Sequence, residues 1–228
     1  MNPDFEEFKR DVSWFIDRKK QVEIITENSP FQLSLEFANT FPKLTRLLKI
    51  ARVVEINMNN DSFKLASWTN KNQQPFGWLI KKEQQGELPL IPNHRLLLEE
   101  MGGIIERYNE PENSWSNNHE FMFLESGCAL GINDWDEYYE GCCKFEDLEP
   151  IDYKGFISFA QEANGNITLY NPINKAVMLF ATDHSFDNVE FVKDQPEYTF
   201  HTINEVAEFK DYVELLAHEW LENIIYTQ

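Results

Sequence analysis

The sequence predicts an α+β fold, a mostly antiparallel or mixed sheet flanked by helices, on three observations. Short apolar stretches bounded by Asn, Gly and Pro turn signals recur through the second half, as neighbouring strands require. Both ends of the chain carry apolar residues at helical spacing. Finally, 42% of the 228 residues are hydrophobic, with 18 Phe, 8 Tyr and 6 Trp, enough apolar surface for one good core.

Taken in order, Phe5, Phe8, Val12, Phe15 and Ile16 predict an amphipathic helix ending near Lys20. After residues 22–26, Phe31, Leu33, Leu35 and Phe37 alternate with Gln32, Ser34 and Glu36, the period of a strand with one wet face. Leu44, Leu47, Leu48 and Ala51 suit a helix that passes into a strand over 52–58, and 63–69 forms another strand. The polar stretch 81–87, which contains Gly86, is the best candidate seam. It divides the chain into residues 1–86, an N-terminal helix-and-strand elaboration packed on the main domain, and residues 87–228, the main α+β domain.

Beyond the seam, Pro92 opens a helix through Leu96, Leu97, Leu98 and Met101, which Gly102-Gly103 stops. A strand is expected over 119–124, and Asn133 or Asp134 caps a short helix through Glu140. Residues 155–161, 167–170 and 176–181 form three successive strands, and the turns Asn164-Gly165-Asn166 and Asn171-Pro172 favour an antiparallel meander. Short extended pieces follow over 190–192 and 198–201. Thr202 and Glu205 make a capping-box pattern before a final helix whose Ile203, Val206, Phe209, Val213, Leu216 and Trp220 share one face and cover the sheet.

The net charge of −19 is unevenly placed: residues 1–109 hold 15 acidic and 15 basic side chains, whereas residues 110–228 hold 24 acidic and 5 basic. Such a field repels nucleic acid and anionic membranes and attracts basic proteins. No stretch is apolar and long enough to span a bilayer, and the charged N-terminus lacks the core of a secretory signal, so a cytoplasmic protein is expected. Three cysteines, two of them adjacent at Cys142 and Cys143, fit reduced thiols better than a disulfide framework.

No phosphate-binding glycine loop and no Gly-x-Ser-x-Gly elbow occurs. His218-Glu219 begins a zinc-protease pattern, but Glu222 stands where the second histidine belongs. No catalytic residue, metal ligand or cofactor site is expected. The most unusual stretch runs from Asp134 to Glu140, and tyrosines at Tyr138 and Tyr139 occupy the positions where a calcium loop needs a polar ligand and a glycine. It reads as an exposed acidic helix with Trp135 and Tyr138 packed inward and as an aromatic partner-binding hot spot, two readings that are compatible because one face can pack while the other binds. The partner-binding residues expected from sequence are Asp134, Trp135, Asp136, Glu137, Tyr138, Glu140, Asp183 and Asp187.

From residue 87 to about 222, the order of elements resembles the SUKH superfamily. The resemblance lies in the Pro-started helix ending at Gly102-Gly103, the strand Gly155-Phe156-Ile157-Ser158-Phe159-Ala160, and Gly165-Asn166 with the strand after it. It continues through the strand closing on Asp183-His184 and the last helix from Ile203. That superfamily includes fungal regulators of cell-wall glucan synthesis and bacterial immunity proteins. Asn171, where such proteins often carry an acidic residue, and the polar insertion over 109–118 depart from the pattern. The resemblance implies a non-enzymatic α+β protein that binds a basic protein partner, in bacteria a toxin domain that is often a nuclease. Two alternatives are a regulatory adaptor for an endogenous protein and a hydrolase using Asp134, Glu137 or Asp183.

Overall fold

The computed structural model describes residues 2–16, 22–59, 61–111, 119–183 and 188–225. The first part of the chain holds α1 (Pro3–Asp11), β1 (Val22–Thr26), α2 (Leu35–Thr40), α3 (Pro42–Lys49), β2 (Arg52–Met58), β3 (Asp61–Thr69) and β4 (Pro75–Lys81). Next come α4 (Pro92–Glu100), β5 (Gly103–Tyr108), β6 (His119–Met122) and α5 (Asp136–Glu146). The chain closes with β7 (Ile157–Glu162), β8 (Ile167–Tyr170), β9 (Val177–Phe180), β10 (Val189–Phe191), β11 (Phe200–Ile203) and α6 (Phe209–Glu222). The eleven strands of the described residues form one sheet in the order β1-β2-β3-β4-β5-β6-β7-β8-β9-β11-β10. Every described pairing is antiparallel. The protein is therefore an α+β fold with one large antiparallel sheet flanked by helices.

Residues directly opposite in paired strands share a face. Ile80 faces Ile104, Ile104 faces Met122, Met122 faces Ala160, and Thr168 faces Leu179, which carries one apolar face across the middle of the sheet. Helices α2, α3, α4 and α6 cover that face, burying Phe37, Leu44, Leu47, Leu97, Phe209 and Trp220. On the opposite face α1 packs Phe5 and Phe8 against Val54, Leu65 and Leu79. Farther along that face α5 packs Tyr139 and Cys143 against Leu169, Phe180 and Phe200.

Two contacts tie the early strands to later elements. Trp220 of α6 stacks on Phe76 at 4.9 Å and meets Trp68 and Trp78 edge-on at 5.6 and 4.9 Å. The stretch between β4 and α4 is held by the buried Glu125, which accepts hydrogen bonds from Gly86 N at 2.9 Å and Leu88 N at 3.2 Å and pairs with Arg95. Strands β4 and β5, on either side of that stretch, are hydrogen-bonded to each other, so the sheet runs past it without a break.

Several sequence expectations need correction. The alternation over 31–37 does not make a strand: Ser34 Oγ accepts from Phe37 N at 3.0 Å and starts α2, with Phe37 buried and Leu35 exposed. The final helix starts later than Thr202 and Glu205 suggest, because Thr202 lies in β11 and Glu205 has a φ of 65°. Its cap is Glu208, in a reciprocal pair with Asp211. Helix α1 ends at Asp11, short of the expected end near Lys20, which lies outside the described residues. No described helix is long and apolar enough to cross a membrane.

Candidate functional site: an acidic aromatic helix

Helix α5 runs past the expected Glu140 to Glu146, and neither Asn133 nor Asp134 caps it: Trp135 stands at the N-cap with no side-chain hydrogen bond. Gly131 and Asn133, at φ of 75° and 54°, turn the chain over a short 3-10 turn from Asn133 to Trp135. Asp136 and Glu137 then occupy the first turn, where the positive end of the helix dipole favours carboxylates. Asp147 ends the helix in a left-handed conformation at φ 56°, and Leu148 N bonds back to Cys143 O at 2.9 Å.

The buried side of α5 is Tyr139 and Cys143, not Trp135 and Tyr138. Tyr139 meets Phe200 edge-on at 5.0 Å and Tyr153 at 5.2 Å. Trp135 is half-buried: its Nε1 donates to Gly165 O at 3.0 Å, which pins the 164–166 turn against the start of the helix. Tyr138 is only partly exposed, packing edge-on against Trp135 at 5.7 Å with its hydroxyl donating to Tyr198 O at 3.4 Å. Asp136 is partly committed inward, since its carboxylate accepts the Tyr153 hydroxyl at 2.7 Å. Burial, then that carboxylate, pushes the Tyr153 phenol pKa up.

Asp134, Glu137 and Glu140 are exposed, Glu140 pairing with Lys154 at 3.5 Å. The 193–198 loop packs beside the helix through Gln195, whose amide oxygen takes the Tyr139 hydroxyl and whose Nε2 donates to Glu149 O at 3.1 Å. Gln195 and the Tyr198 carbonyl both bond to α5 tyrosines, and the exposed Glu197 lies between them in sequence. Residues 134–154 carry eight carboxylates against two lysines, so the field here is strongly negative.

Asp183 joins from another direction. Asn164 Nδ2 and Asn166 Nδ2 donate to it at 2.7 and 2.8 Å, and Asn166 Nδ2 also donates to Glu162 at 3.0 Å. The clasp sits next to the turn that Trp135 holds. Burial, against the Asn166 hydrogen bond and with the Asp183 charge, pushes the Glu162 carboxyl pKa up. Both carboxylates are thus engaged by side-chain amides, an arrangement that fastens a turn. Asp187 lies outside the described residues.

Among the described residues, no group of three or more His, Cys, Asp or Glu is placed to hold a metal ion. Burial pushes the Cys128 and Cys143 thiols up, which disfavours the thiolate that nucleophilic chemistry needs. A polar hollow of about 520 Å³ opens between Asn70, Gln74, Asn109, Glu110, Glu219 and Asn223. Its described lining contains no serine, cysteine or histidine, and Arg107 Nε holds Glu110 at 2.7 Å.

The sequence reading missed Gly141, Phe145, Glu197 and Tyr198 at this face. Phe145 was signalled only by an apolar residue seven positions after Tyr138, on the side of the helix away from Tyr139 and Cys143. Comparison with protein-family models, curated proteins and solved structures returned no match.

Proposed function

We propose that the chain is a non-enzymatic, SUKH-type protein-binding protein, an immunity protein that neutralises a basic, nuclease-type toxin domain through an acidic surface. The observation that carries this reading is the α5 face, where Asp134, Glu137, Glu140 and Glu197 stand exposed around aromatic side chains. A nuclease needs a basic groove for phosphate, so an inhibitor of opposite sign is steered to that groove and occupies the place of the nucleic acid. The order of elements from α4 to α6 supports the family reading. An adaptor for an endogenous basic protein would use the same surface, and the neighbouring genes distinguish the two.

The test is binding to the toxin C-terminal domain encoded beside the gene, measured across a salt series. Asp134→Lys combined with Glu137→Lys is expected to weaken the complex by about 10- to 100-fold, mostly through slower association at low salt. Asp136 is left unchanged because the Tyr153 hydroxyl depends on it. Affinity untouched by the charge reversal would move the interface off α5, and a complex indifferent to salt would remove the electrostatic basis of the proposal.

A further inference from the structure

We infer that Tyr138, Gly141 and Phe145 of α5, with Tyr198 beside them, form a seat for an apolar side chain carried on a basic protein segment. The inference rests on the protein-binding function proposed above and names the part of the surface that gives it specificity.

Positions 138, 141 and 145 follow one another along one side of the helix. Phe145 is 91% exposed, Tyr138 37% and Tyr198 38%, although α5 already meets the core through Tyr139 and Cys143. The fold draws little from the Phe145 ring, whereas Tyr138 meets Trp135 edge-on at 5.7 Å. Tyr138 is also steadied by its hydrogen bond to Tyr198 O at 3.4 Å, so part of the seat is formed before anything binds.

Gly141 is the sharper observation. It lies inside the helix, and a Cβ added there would meet nothing within 4 Å. Neither a left-handed φ nor a crowded neighbour explains a glycine at this position, where alanine suits a helix better. What glycine provides is bare backbone beside Cys142, between Tyr138 and Phe145, a notch that admits a group from outside.

The charge around the notch selects its occupant. Glu137, Glu146 and Glu197 are exposed nearby, as is Glu140, which pairs with Lys154, and Lys144 is the one cation in the α5 sequence. A second copy would bring the same negative face against this one, and an anionic membrane is repelled equally. A lysine- or arginine-rich segment with one protruding apolar side chain satisfies both parts: the rim attracts its charges and the aromatic strip buries its anchor.

The test uses two synthetic peptides of equal positive charge, an oligolysine and a lysine peptide carrying leucines at helical spacing, titrated against the full chain. The leucine peptide is expected to bind at least about tenfold more tightly. Phe145→Ala should abolish that preference while leaving oligolysine affinity unchanged, and Gly141→Leu should do the same by filling the notch. Thermal melts of both variants, unchanged or raised, show that the fold is intact. Equal affinity for the two peptides, or a preference that survives Phe145→Ala in a folded variant, overturns the seat while leaving the acidic-surface function standing. Failure of both peptides to bind counts against both. A Phe145-dependent dimer in sedimentation would overturn the assigned occupant.

Discussion

At the level of single residues, the two groups with the largest consequence for pH behaviour pull in opposite directions. The buried His94 ring donates from Nε2 to Phe123 O at 2.7 Å, receives the Tyr170 hydroxyl at Nδ1 at 3.2 Å and stacks on Phe209 at 4.6 Å. The neutral ring meets both hydrogen bonds, although the one to Phe123 O also favours the charged form, and burial outweighs it. Burial pushes its pKa down to about 4. An unfolded histidine titrates near 6.5, so as pH falls from about 6.5 to about 4 the unfolded chain takes up the proton first and stability is lost, about 3 kcal/mol over the full window. Glu106 behaves inversely. Burial raises its pKa to about 7 from 4.5, so its folded form holds the proton longer and its contribution fades as pH rises across that range. The unmodified chain should therefore show a shallow profile between pH 5 and 6.5. Glu106→Gln removes the opposing slope, and urea midpoints of that variant should fall steadily from pH 7 to 5. A level profile in the variant would mean that His94 is not held neutral.

At the level of elements, the clasp at Glu125 fixes the stretch that leads from β4 into α4. Its carboxylate serves two backbone amides and Arg95 from a buried position, so Glu125→Ala leaves three donors without their acceptor. The expected loss is about 3 kcal/mol, with residues 83–88 becoming the first site of limited proteolysis. Cleavage elsewhere first, or an unchanged midpoint, would show that the clasp is dispensable. Which elements were legible in sequence follows from how each is buried. Pro92 and Gly102 bracket α4 in plain view, and the meander β7–β8–β9 is marked by its turns. Strand β4 was missed because Phe76, Trp78, Leu79 and Ile80 are buried on both faces, which erases the two-residue period. The residues over 31–37 alternate only because a Ser34 cap happens to interrupt them. The acidic half of the candidate site was visible from composition. Its aromatic half was not, since choosing Tyr139 over Tyr138 as the inward ring depends on the helix phase, and Tyr198 arrives only through the packing of a distant loop.

At the level of the molecule, the sheet and the helices on its main face join the beginning and end of the chain into one cooperative structure. Trp68, Phe76 and Trp78 come from β3 and β4, yet the ring that completes their cluster is Trp220, close to the end of α6. The same helix reaches back to the start of α3, where Glu214 accepts from Lys43 N at 2.8 Å and Leu44 N at 3.1 Å. Removing residues 1–86 would strip Trp220 of its partners and turn β5 into an open edge. Residues 87–228 expressed alone are accordingly expected to lack a cooperative melt and to aggregate through the exposed face of α6. In the full chain, Trp220→Ala should cost about 3–5 kcal/mol. It should also lower tryptophan fluorescence and far-UV dichroism transitions together, because the cluster serves both halves. If the two signals separate, or if the fragment unfolds in a single sharp transition of its own, the N-terminal strands are an appendage that the rest of the sheet can do without.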